Sequence, residues 1–351
     1  MPDTSSPLQE AISSLANRRS LSEGLTAQVF GVIMRGEATP AQVAALLIGL
    51  RVKGETAEEV AGAARALREA MVRVEASGPH LVDTCGTGGG TVGTFNISTA
   101  AAFVAAGAGA SVAKHGNRSF TSKCGSADVL EALGVTIALD AAAAARVLRE
   151  VCVTFLFAPN FHPAMRHVNP VRRELGVPSV MNLLGPLANP AGARRQVVGV
   201  ADRERAALVA EALARLGAEH AMVVHGRIGM DEISPQGVTD VWEVRDGQVT
   251  TWELDPAAHG HAVEDAAVLA GGAPAENAAR VERLLGGDGE GGRGDAAGRA
   301  AVVLNAGAAV YVAGLAATYA EGIKRATDAL GQGLALRALE RLRRVSANTS
   351  G

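Results

Sequence analysis

The chain has 351 residues, room for roughly two domains of ~150 residues and a sizeable core. With 48% hydrophobic and 20% charged residues it is not a disordered chain, and a formal charge of −3 gives no electrostatic reason to expect nucleic acid or an acidic membrane as partner. Among the 33 basic residues only Lys53, Lys114, Lys123 and Lys324 are lysines, so a lysine inside a motif stands out. Cys85, Cys124 and Cys152 are odd in number and lack CxxC spacing, which argues against a disulfide framework or zinc cage and for a reducing cytoplasm. The opening MPDTSSPLQEAISSL has no basic stretch followed by an apolar one and does not read as a signal peptide.

Cap and period signals predict helices through the N-terminal part. Thr39-Pro40-Ala41-Gln42 is a capping box followed by Val43, Leu46, Leu47 and Leu50 on one face, with Gly54 as a stop. Thr56-x-x-Glu59 repeats it with Val60, Ala63, Ala64, Leu67 and Met71, and Leu25, Val29, Val32 and Ile33 mark an earlier helix closed by Gly36. After Ser77-Gly78-Pro79, short apolar runs alternate with helical stretches, the pattern of βα units around a mainly parallel sheet. Candidate strands are His80–Thr84, Ser111–Lys114, Val135–Leu139, Thr154–Phe157, Gln196–Val200 and Ala221–His225. Thr239–Val244 and Gln248–Leu254 flank the hairpin signal Asp246-Gly247. Residues 286–295 form a glycine-rich, low-complexity loop, and Ala300 to Leu342 reads as an alanine-rich helical cover for one sheet face. The apolar stretches Thr99 to Ala113 and Ala301 to Ala317 are Ala/Gly-rich, as in helices packed on a sheet rather than membrane spans. The expected fold is therefore α/β: a helical domain over 1–77, with helices from about 167–185 added to it, and an α/β domain over 78–351.

Four segments carry chemistry. Asp83 to Thr99 runs from a strand end through Gly86, Gly88, Gly89, Gly90 and Gly93 to a helix start, where converging N–H groups and the helix dipole suit a phosphate. Gly88-x-Gly90-x-x-Gly93 matches a dinucleotide fingerprint, but the next strand ends in Lys114 where an acid should hold the ribose, and Thr94-Phe95 breaks the P-loop pattern. Lys114 to Asp128 follows a second strand with three cations, several hydroxyls and a second glycine turn, so two neighbouring anion cradles imply two phosphate groups joined by a linker. Asp231-Glu232, after another strand, can hold Mg²⁺, which neutralises a leaving pyrophosphate. In Pro159 to Gly176, arginines entering a cleft can clamp a carboxylate beside Pro159 and Met165, while His162 and His167, five apart, make a poor metal pair.

These motifs, with Met34-Arg-Gly-Glu, Phe161-His-Pro-Ala-Met165, Val171-Arg-Arg-Glu-Leu-Gly176 and Asn182-Leu-Leu-Gly-Pro-Leu-Ala-Asn-Pro190, resemble the anthranilate phosphoribosyltransferase family over nearly the whole chain. The resemblance implies a nucleoside phosphorylase/phosphoribosyltransferase-like fold, usually a homodimer through its helical part, with the cleft at the hinge. It implies that Gly86, Gly89, Gly90, Thr94, Asn96, Ile97, Ser98, Thr99, Lys114, His115, Gly116, Asn117, Arg118, Ser119, Phe120, Thr121, Ser122 and Ser126 surround phosphoribosyl pyrophosphate. Ser98, Asp231 and Glu232 would surround Mg²⁺, and Gly86, Asn117 and Arg172 would meet anthranilate. The expected partners are these small molecules, with neither nucleic acid nor membrane. The family usually carries Asp where this chain has Gly90, so an altered metal or substrate response is expected. An arylamine is neutral and nucleophilic at pH 7, so no strong general base is required; His115 is the nearest candidate proton acceptor. Rival readings are a pyrimidine nucleoside phosphorylase-like enzyme, a non-catalytic relative that binds nucleic acid and, least favoured, an NAD enzyme.

Overall fold

The predicted capping boxes form. Thr39 with Gln42 and Thr56 with Glu59 each exchange side-chain and backbone hydrogen bonds, and Ser6 with Gln9 supplies a third box. They open three of four N-terminal helices: α1 (Pro7–Ala16), α2 (Glu23–Met34), α3 (Pro40–Lys53) and α4 (Ala57–Ala70). α3 stops at Gly54, whose φ of +89° favours glycine. The computed structural model describes residues 6–76, 78–119, 123–287 and 294–348. Residues 288–293 of the low-complexity loop and site candidates Phe120, Thr121 and Ser122 lie outside the described residues.

The seven-stranded sheet has the order β3-β2-β1-β4-β5-β6-β7. β1 (Leu81–Gly86), β2 (Ser111–Gly116), β3 (Val153–Phe157), β4 (Arg195–Gly199) and β5 (His220–Gly226) are parallel. β6 (Thr239–Arg245) and β7 (Gln248–Leu254) extend the sheet antiparallel. Their turn has φ +50° at Asp246 and +77° at Gly247, the paired positive values that an Asp-Gly hairpin supplies. Strand order reverses between β1 and β4, and at this switch point the connections leave in opposite directions, opening a crevice at the strands' C-terminal ends.

α5 (Ile97–Gly107) links β1 to β2; α6 (Ser126–Ala132) and α7 (Ala141–Val151) link β2 to β3. The connection from β3 to β4 carries α8 (Ala158–Phe161), α9 (Asn169–Leu175) and α10 (Met181–Leu187), and α11 (Arg203–Arg215) precedes β5. α12 (Pro274–Leu285), α13 (Ala296–Val312), α14 (Tyr319–Gly331) and α15 (Leu334–Ala347) close the described chain. Val82, Val112, Val197 and Met222 share one core with α5 and α12 to α15; Val198 and Val223, on the opposite sheet face, share a second with α11, α9, α10 and the N-terminal helices. Among the described residues no helix is long and apolar enough to cross a membrane.

One predicted strand is absent. Val135–Leu139 keeps its apolar alternation, with Val135, Ile137 and Leu139 buried, but lies in no ladder. Side chains replace a neighbouring strand here: Thr136 N donates to Ser346 Oγ (3.2 Å) and Asn160 Nδ2 donates to Leu139 O (3.1 Å). Alternation reports a buried face and not what satisfies the backbone.

A buried polar seam ties the switch point to α10. The last carbonyls of a helix lack intrahelical donors, and here Gly185 O accepts from His115 Nδ1 (3.1 Å), Pro186 O from Gln196 Nε2 (2.7 Å) and Leu187 O from Arg68 Nε (2.6 Å). Asn189 follows. Its Nδ2 donates to Asp83 Oδ2 (2.7 Å) and Ala113 O (2.8 Å), its Oδ1 accepts Ala191 N (2.8 Å), and Asp83 Oδ1 accepts His115 N (3.1 Å). β1, β2 and β4 are thus fastened to one helix end. Because Gly185 O can only accept, His115 Nδ1 holds the proton and its Nε2 accepts from His162 Nε2 at 3.1 Å.

Two predictions follow from the seam. Asn189→Leu strips Asp83 of its amide donor and leaves Ala113 O unpaired, so chemical denaturation should show a loss of about 2–4 kcal/mol; a change under 1 kcal/mol, on the same scale, would contradict the role. Burial lowers His115 to about 3 and His162 to about 4, both below the unfolded value near 6.5. The unfolded chain therefore takes up protons that the folded chain refuses, and stability present above pH 6.5 is lost as pH falls toward 4. The loss by pH 5 is on the order of 2 kcal/mol per histidine, and thermal melting of His162→Gln, whose amide can still donate to His115, should show a flatter acid limb than the parent.

Candidate active site

The glycine loop after β1 lies at the switch point. Gly88 (φ +67°) and Gly89 (φ +88°) take backbone conformations that disfavour a side chain. Gly86 lies opposite Gly199 of β4, and a Cβ on Gly199 would fall 1.6 Å from Asp231 O, so the loop carrying the two acids rests directly on bare backbone. Gly90, where the resemblance leads one to expect Asp, belongs to the same contact: a Cβ there would stand 2.9 Å from Asp231 Oδ1 and 3.0 Å from Gly229 O.

Glu232 joins the two sides of the switch point. Its Oε2 accepts Thr94 Oγ1 (3.1 Å) and its Oε1 accepts Ser98 N (3.1 Å) in the first turn of α5. The helix start expected to cradle a phosphate thus does bind an anion, here an internal carboxylate. Lys114 is 4% exposed; its Nζ donates to Thr84 O, at the end of β1, and to Ser98 Oγ (3.3 Å). Burial, then the Asp231 charge, pushes Glu232 up to about 8, burial also raises Asp231, and burial pulls Lys114 down against the attraction of Asp83. Two adjacent half-buried carboxylates with Lys114 nearby fit a hard divalent cation, with the Ser98 hydroxyl next to the pair. Among the described residues no group of three or more His, Cys, Asp or Glu gathers, so such an ion would draw its other ligands from hydroxyl, phosphate or water oxygens.

The second loop, after β2, is folded on itself. Asn117 O accepts Ser126 Oγ (3.2 Å) and Ala127 N (3.2 Å), and Asp128 Oδ2 accepts Gly125 N (2.8 Å) and Ser119 N (3.4 Å). A Cβ on Gly116 would meet Ser126 Oγ at 2.2 Å. Asn96 links the loops: Nδ2 donates to Cys124 O (3.1 Å) while Oδ1 accepts Asn277 Nδ2 (3.0 Å).

Several expected site residues take other tasks. Ile97 and Thr99 are 0% and 1% exposed, so their side chains face the core and only their backbone could meet a ligand. Arg118, expected beside phosphate, has its Nη1 on Asp128 (2.9 Å) and Glu131 (2.6 Å) of α6. His115 is corrected as a proton acceptor: both ring nitrogens are engaged and burial holds it at about 3, so it is a neutral strut. Arg172 lies half-buried on α9, its Nη1 at 3.5 Å from Asn169 Oδ1, with burial lowering its pKa. Sequence reasoning quoted Asn189 within a motif but gave it no role, and passed over Asn277 and Asn305, single amides with no periodic signal.

Comparison with known proteins assigns the architecture. Residues 78–336 match a glycosyl transferase family a/b domain and residues 9–71 the helical bundle domain of the same family. Over 342 residues the chain is 50% identical to an anthranilate phosphoribosyltransferase of Roseiflexus castenholzii, covering 97% of this chain and 99% of that one. The crystal structure of the Thermus thermophilus anthranilate phosphoribosyltransferase superposes with a TM-score of 0.89 at 43% identity, over 96% of this chain and 99% of that one. The Saccharomyces cerevisiae enzyme in complex with phosphoribosyl pyrophosphate and magnesium gives 0.87 at 29% identity, over 97% and 98%. The chain belongs to the anthranilate phosphoribosyltransferase family.

Proposed function

We infer that the chain transfers the phosphoribosyl group of 5-phosphoribosyl 1-pyrophosphate to the amine of anthranilate, releasing pyrophosphate, as a cytoplasmic enzyme of tryptophan biosynthesis. The observation that carries the reading is the Glu232 bridge: a half-buried carboxylate from beyond β5 meets the α5 N-terminus and the Thr94 hydroxyl, with Lys114 donating to Ser98 in the same turn. This gathers an acid pair, an ammonium and free-standing glycine backbone at one crevice, the set that a magnesium-bound pyrophosphate with a sugar between its charges requires. Mg²⁺ held at Asp231, Glu232 and Ser98 would supply charge neutralisation for the departing pyrophosphate.

The protein's own residues orient the rest. Backbone N–H groups of the first loop would receive the pyrophosphate, and those of the second loop, with the Ser119 and Ser126 hydroxyls, the 5-phosphate. The buried Lys114 ammonium sits beneath Ser98 and acts through the field it sets at the crevice floor. Arg172 and Asn117 would hold anthranilate so that its neutral amine faces ribose C1 opposite the leaving group. With both nitrogens of His115 engaged, the amine proton leaves to solvent or pyrophosphate, and catalysis rests on orientation and charge stabilisation. Two copies would pair through the helical part, as the family resemblance implies.

Loss of anthranilate fluorescence on adding phosphoribosyl pyrophosphate and Mg²⁺, with pyrophosphate rather than orthophosphate released, tests the reading. Arg172→Ala should raise the KM for anthranilate roughly 10- to 100-fold, the worth of one charge-assisted pair, with kcat less affected. Lys114→Met should act mainly on the KM for the phosphorylated substrate, roughly tenfold or more. Unchanged constants in both variants would defeat the site assignment.

A further inference from the structure

The two acids sit between two backbone clamps. On one side Gly226 N donates to Met230 O (2.9 Å) and Met230 N to Gly226 O (3.2 Å). On the other, the residue after Glu232 is held by a single side chain: Asn305 Oδ1 accepts Ile233 N (3.0 Å) and Asn305 Nδ2 donates to Ile233 O (2.9 Å). Met230 and Ile233 are both fully buried, so the clamps also fix which way the pair between them turns.

Asn305 lies mid-helix in α13 within Ala300-Ala-Val-Val-Leu-Asn-Ala-Gly-Ala-Ala309, where its neighbours along the chain are apolar or glycine. It is 5% exposed and makes a third bond, Nδ2 to Ala301 O at 2.9 Å. That bond lies within the helix and does not require the loop. The remaining amide capacity is directed at one residue of the acid-bearing segment. Asn305 also lines a small pocket with Asp231, Glu232, Ser98, Thr84 and Cys85. A buried amide is tolerated only when its hydrogen bonds are made, and once made they hold their partner in one place.

We propose that Asn305 is a positioning residue for phosphoribosyl transfer: by holding both backbone groups of Ile233 it sets the place from which Asp231 and Glu232 meet the metal-bound pyrophosphate. It touches neither substrate nor metal itself. The inference rests on the assignment of Asp231 and Glu232 to that end of the substrate. Carboxylates must stand within about 0.5 Å of their working geometry, and freeing Ile233 removes one of the two backbone clamps that flank them.

The test uses the full chain and titration calorimetry of phosphoribosyl pyrophosphate, once with MgCl₂ and once with EDTA, alongside unliganded thermal melting and the anthranilate KM. Glu232→Gln reports on the site reading, Asn305→Leu removes both bonds to Ile233, and the same-sized Asn305→Asp keeps the acceptor and loses the donor. Expected are a tenfold or greater loss of the Mg²⁺-dependent affinity in Glu232→Gln and Asn305→Leu, and fivefold or more in Asn305→Asp, each on the scale of about 1 kcal/mol or more. In the Asn305 variants, binding in EDTA and the anthranilate KM should stay within about twofold, below that scale. Glu232→Gln losing the Mg²⁺-dependent component while folded Asn305 variants keep it overturns the inference and leaves the site reading standing. An unchanged Glu232→Gln overturns both. Equal losses with and without Mg²⁺, or failure of both Asn305 variants to fold, also overturn the proposal and make Asn305 a residue of the core.

Discussion

The site depends on one contact across the switch point, the Glu232 carboxylate on the Ser98 N–H and the Thr94 hydroxyl. An open parallel sheet diverges where its strand order reverses, so the loops beyond β1 and β5 have no ladder to relate them. Glu232 supplies that relation with a charge-assisted pair of hydrogen bonds at a helix N-terminus, where the dipole favours an anion. The glycines then become necessary rather than decorative. Gly199 lets the Asp231 backbone lie directly against β4, and a side chain there would push the acid-bearing loop out of the crevice, while Gly90 leaves the Asp231 carboxylate close to the first loop.

The same contact explains why the acids are held at an electrostatic disadvantage. Burial disfavours ionisation of both, and Asp231 adds its charge to the burial of Glu232. Lys114 is the nearby ammonium, and burial works against its charge too. A crevice that concentrates opposed, poorly solvated charges has a strong field and a use for a divalent ion, which is what departing pyrophosphate needs. Beneath it, Asp83, Asn189, Gln196 and the histidine pair join three strands to the end of α10, so the connection carrying Arg172 is anchored to the strands that carry the two glycine loops.

Local chemistry made much of this readable from the chain. The capping boxes at Thr39 and Thr56, the Asp246-Gly247 hairpin and the glycine loop before α5 each depend on a few neighbouring residues, and each forms as its sequence predicts. The unreadable parts are long-range. Val135–Leu139 has a strand's alternation without a strand's partner, because Ser346 and Asn160 meet its backbone from elsewhere. Arg118 looks like a phosphate ligand until α6 places Asp128 and Glu131 beside it, and His115 looks like a base until Gly185 and His162 take its two nitrogens. Asn189 and Asn305 are lone amides among apolar residues, and only the fold reveals the backbone groups they satisfy.

Hydrogen exchange read by mass spectrometry, with and without phosphoribosyl pyrophosphate and Mg²⁺, tests most directly whether both loops and the acid segment form one binding site. Slowed exchange in three separate stretches, 86–99, 114–128 and 229–234, with little change over β6 and β7, is the predicted result. Protection confined to one of those stretches, or centred on another part of the molecule, would contradict a shared crevice at the switch point.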